Sequence, residues 1–124
     1  MNIQITYNVI TTTKLKESVD FYCNLFNYEV VADIGWYNQL KHESGAELAF
    51  MEPNHPSQPE MFQHQWDGKG LIISVQVENI QEAYDSVNDL KIPIDFKLTE
   101  EEWGQTHFGI HDPNGIPVDI VQHT

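Results

Sequence analysis

Leu71-Ile72-Ile73-Ser74-Val75-Gln76-Val77-Glu78-Asn79-Ile80-Gln81-Glu82-Ala83-Tyr84 restarts a pattern that the chain has already run once. Leu71 to Val77 is a short, β-branched apolar run, the length and composition of a strand. Asn79 can accept a hydrogen bond from the first turn of a helix, and Glu82, three residues on, completes a capping box. Ile80, Ala83, Tyr84, Val87 and Leu90 then fall on one helical face. Pro93 follows, where a continuing helix would lose a backbone hydrogen bond. Strands near Ile94–Leu98, Gln105–His111 and Ile116–Gln122 close the segment. Upstream the same order appears. Ile3–Ile10 alternates as a strand, and Thr13 is placed to cap a helix over Lys14–Asn27 with an apolar stripe of Leu15, Val19, Tyr22, Cys23 and Phe26. Strands at Tyr28–Ile34, Trp36–Glu43 and Ala46–Met51 come next. The spacing therefore predicts an α+β chain built from two βαβββ repeats, about residues 1–52 and 70–124 of one 124-residue domain, joined by a proline-bearing loop.

Composition narrows the function. The formal net charge is −13, and all six cations are lysine, with no arginine. Clustered cations for phosphate are missing, which argues against nucleic acid as a partner. The bidentate clamp for carboxylates and phosphates is missing too, so a neutral or cationic ligand is easier to accept than an anionic one. Cys23 is the single cysteine, which rules out an intrachain disulfide and suits a reducing compartment. No run approaches the roughly 20 apolar residues of a bilayer span, and Met1-Asn2-Ile3-Gln4-Ile5 does not read as a signal peptide. The expectation is a cytoplasmic protein without a membrane partner. No phosphate loop, Ser-His-Asp constellation or cysteine-rich metal motif is visible.

Ser18-Val19-Asp20-Phe21-Tyr22 after the first strand resembles the first-helix signature of the glyoxalase/bleomycin-resistance/extradiol-dioxygenase (vicinal oxygen chelate) superfamily. Trp103-Gly104-Gln105, Phe108, Asp112-Pro113-Asn114-Gly115 and Val118-Asp119-Ile120-Val121 resemble its C-terminal half, so the resemblance spans the chain. It implies a curved mixed sheet around a cleft with helices on the outer face, a divalent metal on inward His and Glu side chains in the enzymes, and frequent homodimers. The four metal positions it implies fall on Tyr7, Glu47, Ile72 and Asp119. Two carboxylates, a phenol and an isoleucine fall short of the three good ligands of a catalytic site.

Strand alternation then assigns faces. Glu47, Ala49 and Met51 share one face. A two-residue turn at Ser44-Gly45 would put His42 opposite Glu47, Leu40 opposite Ala49, and carry Asn38 and Trp36 along that face. In the last hairpin a bulge at Gly115 sets Asp119 opposite Gly109, so His107 and His111 join its face while Phe108, Ile110, Val118 and Ile120 form the core. Ile72, Ser74 and Gln76 face the cleft from the strand at 71–77.

The expected ligand-binding set is Tyr7, Trp36, Glu47, Met51, Trp66, Trp103, His107 and Asp119, with no metal and no cofactor. Carboxylates and tryptophan rings suit organic cations and planar groups. His55, His64 and His123 read as surface residues, and Cys23 as a small hydrophobe. The leading reading is a homodimeric binding protein of the antibiotic-sequestering kind, holding a small cationic or aromatic compound. The alternative is a metal-dependent lyase, isomerase or dioxygenase with a non-standard site, for which His42, Glu47, His107 and Asp119 offer imidazole and carboxylate donors. A third is a protein-binding regulatory module with a filled cavity.

Overall fold

The computed structural model describes residues 1–124, in the order β1 (Asn8–Thr11), α1 (Leu15–Phe26), β2 (Glu29–Asp33), β3 (Tyr37–Lys41), β4 (Glu47–Met51), a 3-10 turn at Glu60–Phe62, β5 (Ile73–Gln76), α2 (Ile80–Asp89), β6 (Phe96–Glu101), β7 (Gln105–His111) and β8 (Pro117–His123). The chain divides into two compact units, Met1–Asp67 and Gly68–Thr124. Each unit is one βαβββ module with its own four-stranded mixed sheet, ordered β1-β4-β3-β2 in the first and β5-β8-β7-β6 in the second. In both, the first strand pairs parallel to the last, and the remaining pairs are antiparallel. No helix is long and apolar enough to cross a membrane.

In the first module α1 covers the face that carries Ile10, Leu40, Leu48 and Phe50, all buried. Tyr22 is fully buried and lies with its ring centroid 5.4 Å from Phe50. Cys23 is only half-buried, while Ser18 is fully buried and donates its hydroxyl to Lys14 O at 2.6 Å. Thr13 is not the cap. The N-cap is Lys14, without a side-chain bond, and Thr12 Oγ1 accepts from Lys14 N at 2.8 Å instead. The expected strand from Ile3 starts only at Asn8. β1 pairs with β4 from Asn8↔Leu48 to Thr11↔Met51, and β4 begins at Glu47, so the residues before Asn8 have no ladder to join.

In the second module α2 covers Phe108, Ile110, Val118 and Ile120, and Tyr84 meets Phe108 edge-on at 5.1 Å. Asn79 caps α2 as its position predicts, accepting from Glu82 N at 3.1 Å. Leu90 is the exposed C-cap residue and not part of the packed stripe. β6 runs later than expected, to Glu101, after a bulge between Phe96 and Thr99.

Both hairpins between the last two strands of a module are built alike. Asp112 N bonds Ile116 O at 3.0 Å and Gly115 N bonds Asp112 O at 3.0 Å. His42 N bonds Ala46 O and Gly45 N bonds His42 O, each at 2.9 Å. Gly115 and Gly45 take positive φ, +76° and +97°, the mark of a three-residue turn closed by a glycine bulge. The register expected at Gly115 therefore stands, with Gly109 opposite Asp119. The register expected at Ser44-Gly45 does not. Lys41 lies opposite Glu47, Gln39 opposite Ala49 and Tyr37 opposite Met51. That one-residue difference exchanges the faces of β3. Asn38 and Leu40 lie on the helix side, and Trp36 lies before β3, where strand alternation does not reach.

Candidate functional site

Each sheet has one face under its helix and one face away from it, and the polar chemistry gathers on the second kind. In the first module this open face carries Tyr37, Gln39, Glu47, Ala49 and Met51. The Tyr37 hydroxyl donates to Gln39 Oε1, and Gln39 Nε2 donates to Glu47 Oε1 at 3.0 Å. Gln39 is buried, and this diagonal pair joins β3 to β4 across the ladder. Burial, then the neighbouring Tyr7 hydroxyl and the Glu47 charge, push the Tyr37 phenol up to about 12. Tyr7, Tyr37, Gln39 and Glu47 thus form one hydrogen-bonded row that holds the Glu47 carboxylate by a single oxygen.

In the second module the open face carries Thr99, Glu101, Gln105, His107, Gly109 and Asp119. His107 Nδ1 is 2.7 Å from Asp119 Oδ1, a diagonal contact between β7 and β8. On the other side of the ring, His107 Nε2 is 3.5 Å from Glu101 Oε2, which β6 brings across from the Gln105 position. The Phe96 ring stands edge-on to the imidazole at 5.1 Å. It reaches there because Gly109, its partner in the ladder, has no side chain, and a Cβ on Gly109 would lie 3.1 Å from Phe96 Cβ.

Of the residues singled out from sequence, Tyr7, Glu47 and Met51 share the open face of the first module, and His107 and Asp119 that of the second. Trp36 stacks on His55, centroids 3.8 Å apart and 15° from parallel. Trp66 is half-buried, and its backbone N–H donates to Thr11 O at 2.8 Å. Trp103 is 70% exposed in the β6–β7 turn. His42 turns its Nδ1 to Ser44 Oγ at 2.9 Å and does not join Glu47. Sequence reasoning missed Tyr37, Gln39 and Glu101. Two grooves of the first module, of 330 Å³ beside α1 and 460 Å³ beside Lys41 and His42, include none of Tyr7, Glu47 and Met51.

The four positions at which the resemblance implies metal ligands do not fit a divalent ion. Ile72 has no donor and is exposed, and Tyr7 offers only a phenol, so Glu47 and Asp119 are the only good ligands of the four, short of the three a catalytic site needs. Glu101, His107 and Asp119 do not make up the deficit. The two carboxylates stand on opposite edges of the imidazole, whereas a metal takes one ring nitrogen in the ring plane and needs its other ligands around itself. No group of three or more His, Cys, Asp and Glu side chains is arranged to hold a metal ion.

Comparison with known proteins places this architecture. The lactoylglutathione lyase of Agrobacterium tumefaciens superposes with a TM-score of 0.76 at 20% identity, over 95% of this chain and 92% of that one. A glyoxalase/bleomycin resistance protein/dioxygenase from Nocardioides gives 0.78 at 16%, over 99% and 85%. A superfamily member from Sphaerobacter thermophilus gives 0.75 at 18%, over 98% of each chain. At these identities the likeness speaks for the fold. No curated protein matches the chain in sequence. The sequence profile of the family itself matches residues 4–120, and the chain belongs to the Glyoxalase/Bleomycin resistance protein/Dioxygenase superfamily.

Proposed function

We propose that the chain is a small-molecule-binding member of this superfamily that holds a cationic or aromatic organic compound without a metal. The observation that carries the reading is the state of the two carboxylates at the metal positions. Glu47 receives an amide N–H from Gln39 and Asp119 meets the imidazole of His107, so each is engaged by its own module. A carboxylate so engaged keeps a free oxygen for a ligand donor, and Ile72 brings no donor with which the two could complete a metal shell. The charge of −13 and the absence of arginine favour a cation over an anion. Homodimerisation, frequent in the superfamily, completes the proposal. A thermal-shift screen of the native protein against organic cations, aromatic neutrals and aromatic carboxylates tests it. Stabilisation by the first two classes and none by the third is the expected result, since binding to the folded state alone raises its stability. Preferential stabilisation by anions, or by divalent metal alone, would sink it.

A further inference from the structure

His107 holds an acceptor that nothing in the chain satisfies. With Nδ1 2.7 Å from the Asp119 carboxylate, Nδ1 is the nitrogen that donates, and in the neutral form of the ring Nε2 keeps a bare lone pair. Nε2 is buried without a hydrogen-bond partner, and Glu101 Oε2 lies 3.5 Å from it. In that form two acceptors, Nε2 and Glu101 Oε2, face each other in a buried site, and an N–H supplied from outside the chain relieves both. Gln105 Nε2 approaches the other nitrogen, Nδ1, at 3.4 Å, and so does not relieve it. The groups facing the ring are Glu101 and Phe96 from β6, Gln105 from its own strand and Asp119 from β8, and no cationic side chain is among them.

We propose that Glu101 and His107 form the seat for one cationic nitrogen group of the ligand: a primary ammonium, an amidinium or a guanidinium. This deepens the binding reading above and rests on it. Such a group carries at least two N–H bonds, one for Nε2 and one for the Glu101 carboxylate, and its charge offsets Glu101 and Asp119 together. A neutral hydroxyl, with one hydrogen, would satisfy only one of the two acceptors. Asp119 is the positioning residue, since its bond to Nδ1 fixes both the tautomer and the plane of the ring. Glu101 ends β6, and its side chain is 22% exposed against 15% for His107. Because Nε2 is buried, the proposal requires the Glu101 side chain to move aside as the ligand enters.

The test uses the full chain with histidine labelled in both ring nitrogens, and benzamidine as probe with benzamide as its neutral counterpart. Nitrogen NMR near neutral pH is expected to show His107 protonated on Nδ1 and bare on Nε2. Benzamidine should shift the Nε2 resonance in a saturable way, benzamide should not, and Glu101→Gln, nearly isosteric, should weaken benzamidine at least about tenfold. Benzamidine binding equally well to Glu101→Gln would overturn this seat while leaving a small-molecule-binding protein in place. A His107 protonated on both nitrogens and indifferent to benzamidine would overturn it as well, as a closed carboxylate–imidazolium–carboxylate unit. The broader binding reading falls only if the wider thermal-shift screen is also blank.

Discussion

Replacing Gly115 with Ala tests the turn on which the second module's polar face depends. Gly115 has φ of +76°, and a Cβ built there meets nothing within 4 Å. The cost is therefore conformational and not a clash: about 1–2 kcal/mol for an L-residue forced into the left-handed region. For a chain of 124 residues, an unfolding entropy of about 2 cal/mol/K per residue turns that into a fall in Tm of roughly 4–8 °C. Gly45 is equally unobstructed but sits at φ of +97°, further from the region that other residues tolerate, so Gly45→Ala should cost as much or more. Gly115→Asn should cost less than Gly115→Ala, because Asn enters the left-handed region more readily. Calorimetry or urea unfolding of the three variants measures this. A Gly115→Ala protein as stable as the parent would refute the glycine-bulge turn, and with it the physical reason given for Asp119 lying opposite Gly109.

Two further predictions follow from single contacts. Asn79→Ala removes the side-chain acceptor at the start of α2 and should lower stability by about 1 kcal/mol, which denaturant titrations of the variant and the parent measure; an unchanged midpoint would contradict the cap. Tyr37, raised to about 12 in the folded state against an ordinary value near 10, keeps its proton more tightly folded than unfolded. Its contribution to stability is thus complete below pH of about 10 and is lost as pH rises towards 12. An ultraviolet phenolate titration should show a late-titrating tyrosine that Tyr37→Phe removes; a Tyr37→Phe titration identical to the parent's would contradict the assignment.

The repeat was legible because each module announces itself by the change from an alternating or β-branched run to a helical stripe. Asn79 with Glu82 even fixed the start of α2. The last hairpin was legible for a different reason: only the bulged register buries Phe108, Ile110, Val118 and Ile120 together, so apolar content decided between two alternatives. At His42–Gly45 no such contrast exists. Either face of β3 mixes polar and apolar residues, with Asn38 and Leu40 on one and Tyr37 and Gln39 on the other, and burying an asparagine under α1 is not what a hydrophobic pattern suggests. The usable signal was the likeness of His42-Glu43-Ser44-Gly45 to Asp112-Pro113-Asn114-Gly115, four residues ending in glycine before the last strand of each module. Glu101 was missed because Glu100-Glu101-Glu102 has the composition of a loop; the bulge in β6 carries the strand into it and sets one glutamate beside His107.

The central claim, that Glu47 and Asp119 serve an organic ligand and not a metal shell, is tested most directly by elemental analysis of untagged, natively purified protein, before and after incubation with Ni²⁺, Zn²⁺, Mn²⁺ and Fe²⁺ followed by desalting. The account predicts well under one equivalent of any of them, with no difference between the parent chain and Glu47→Ala. Near-stoichiometric metal that Glu47→Ala abolishes would contradict it and restore the metal-dependent enzyme.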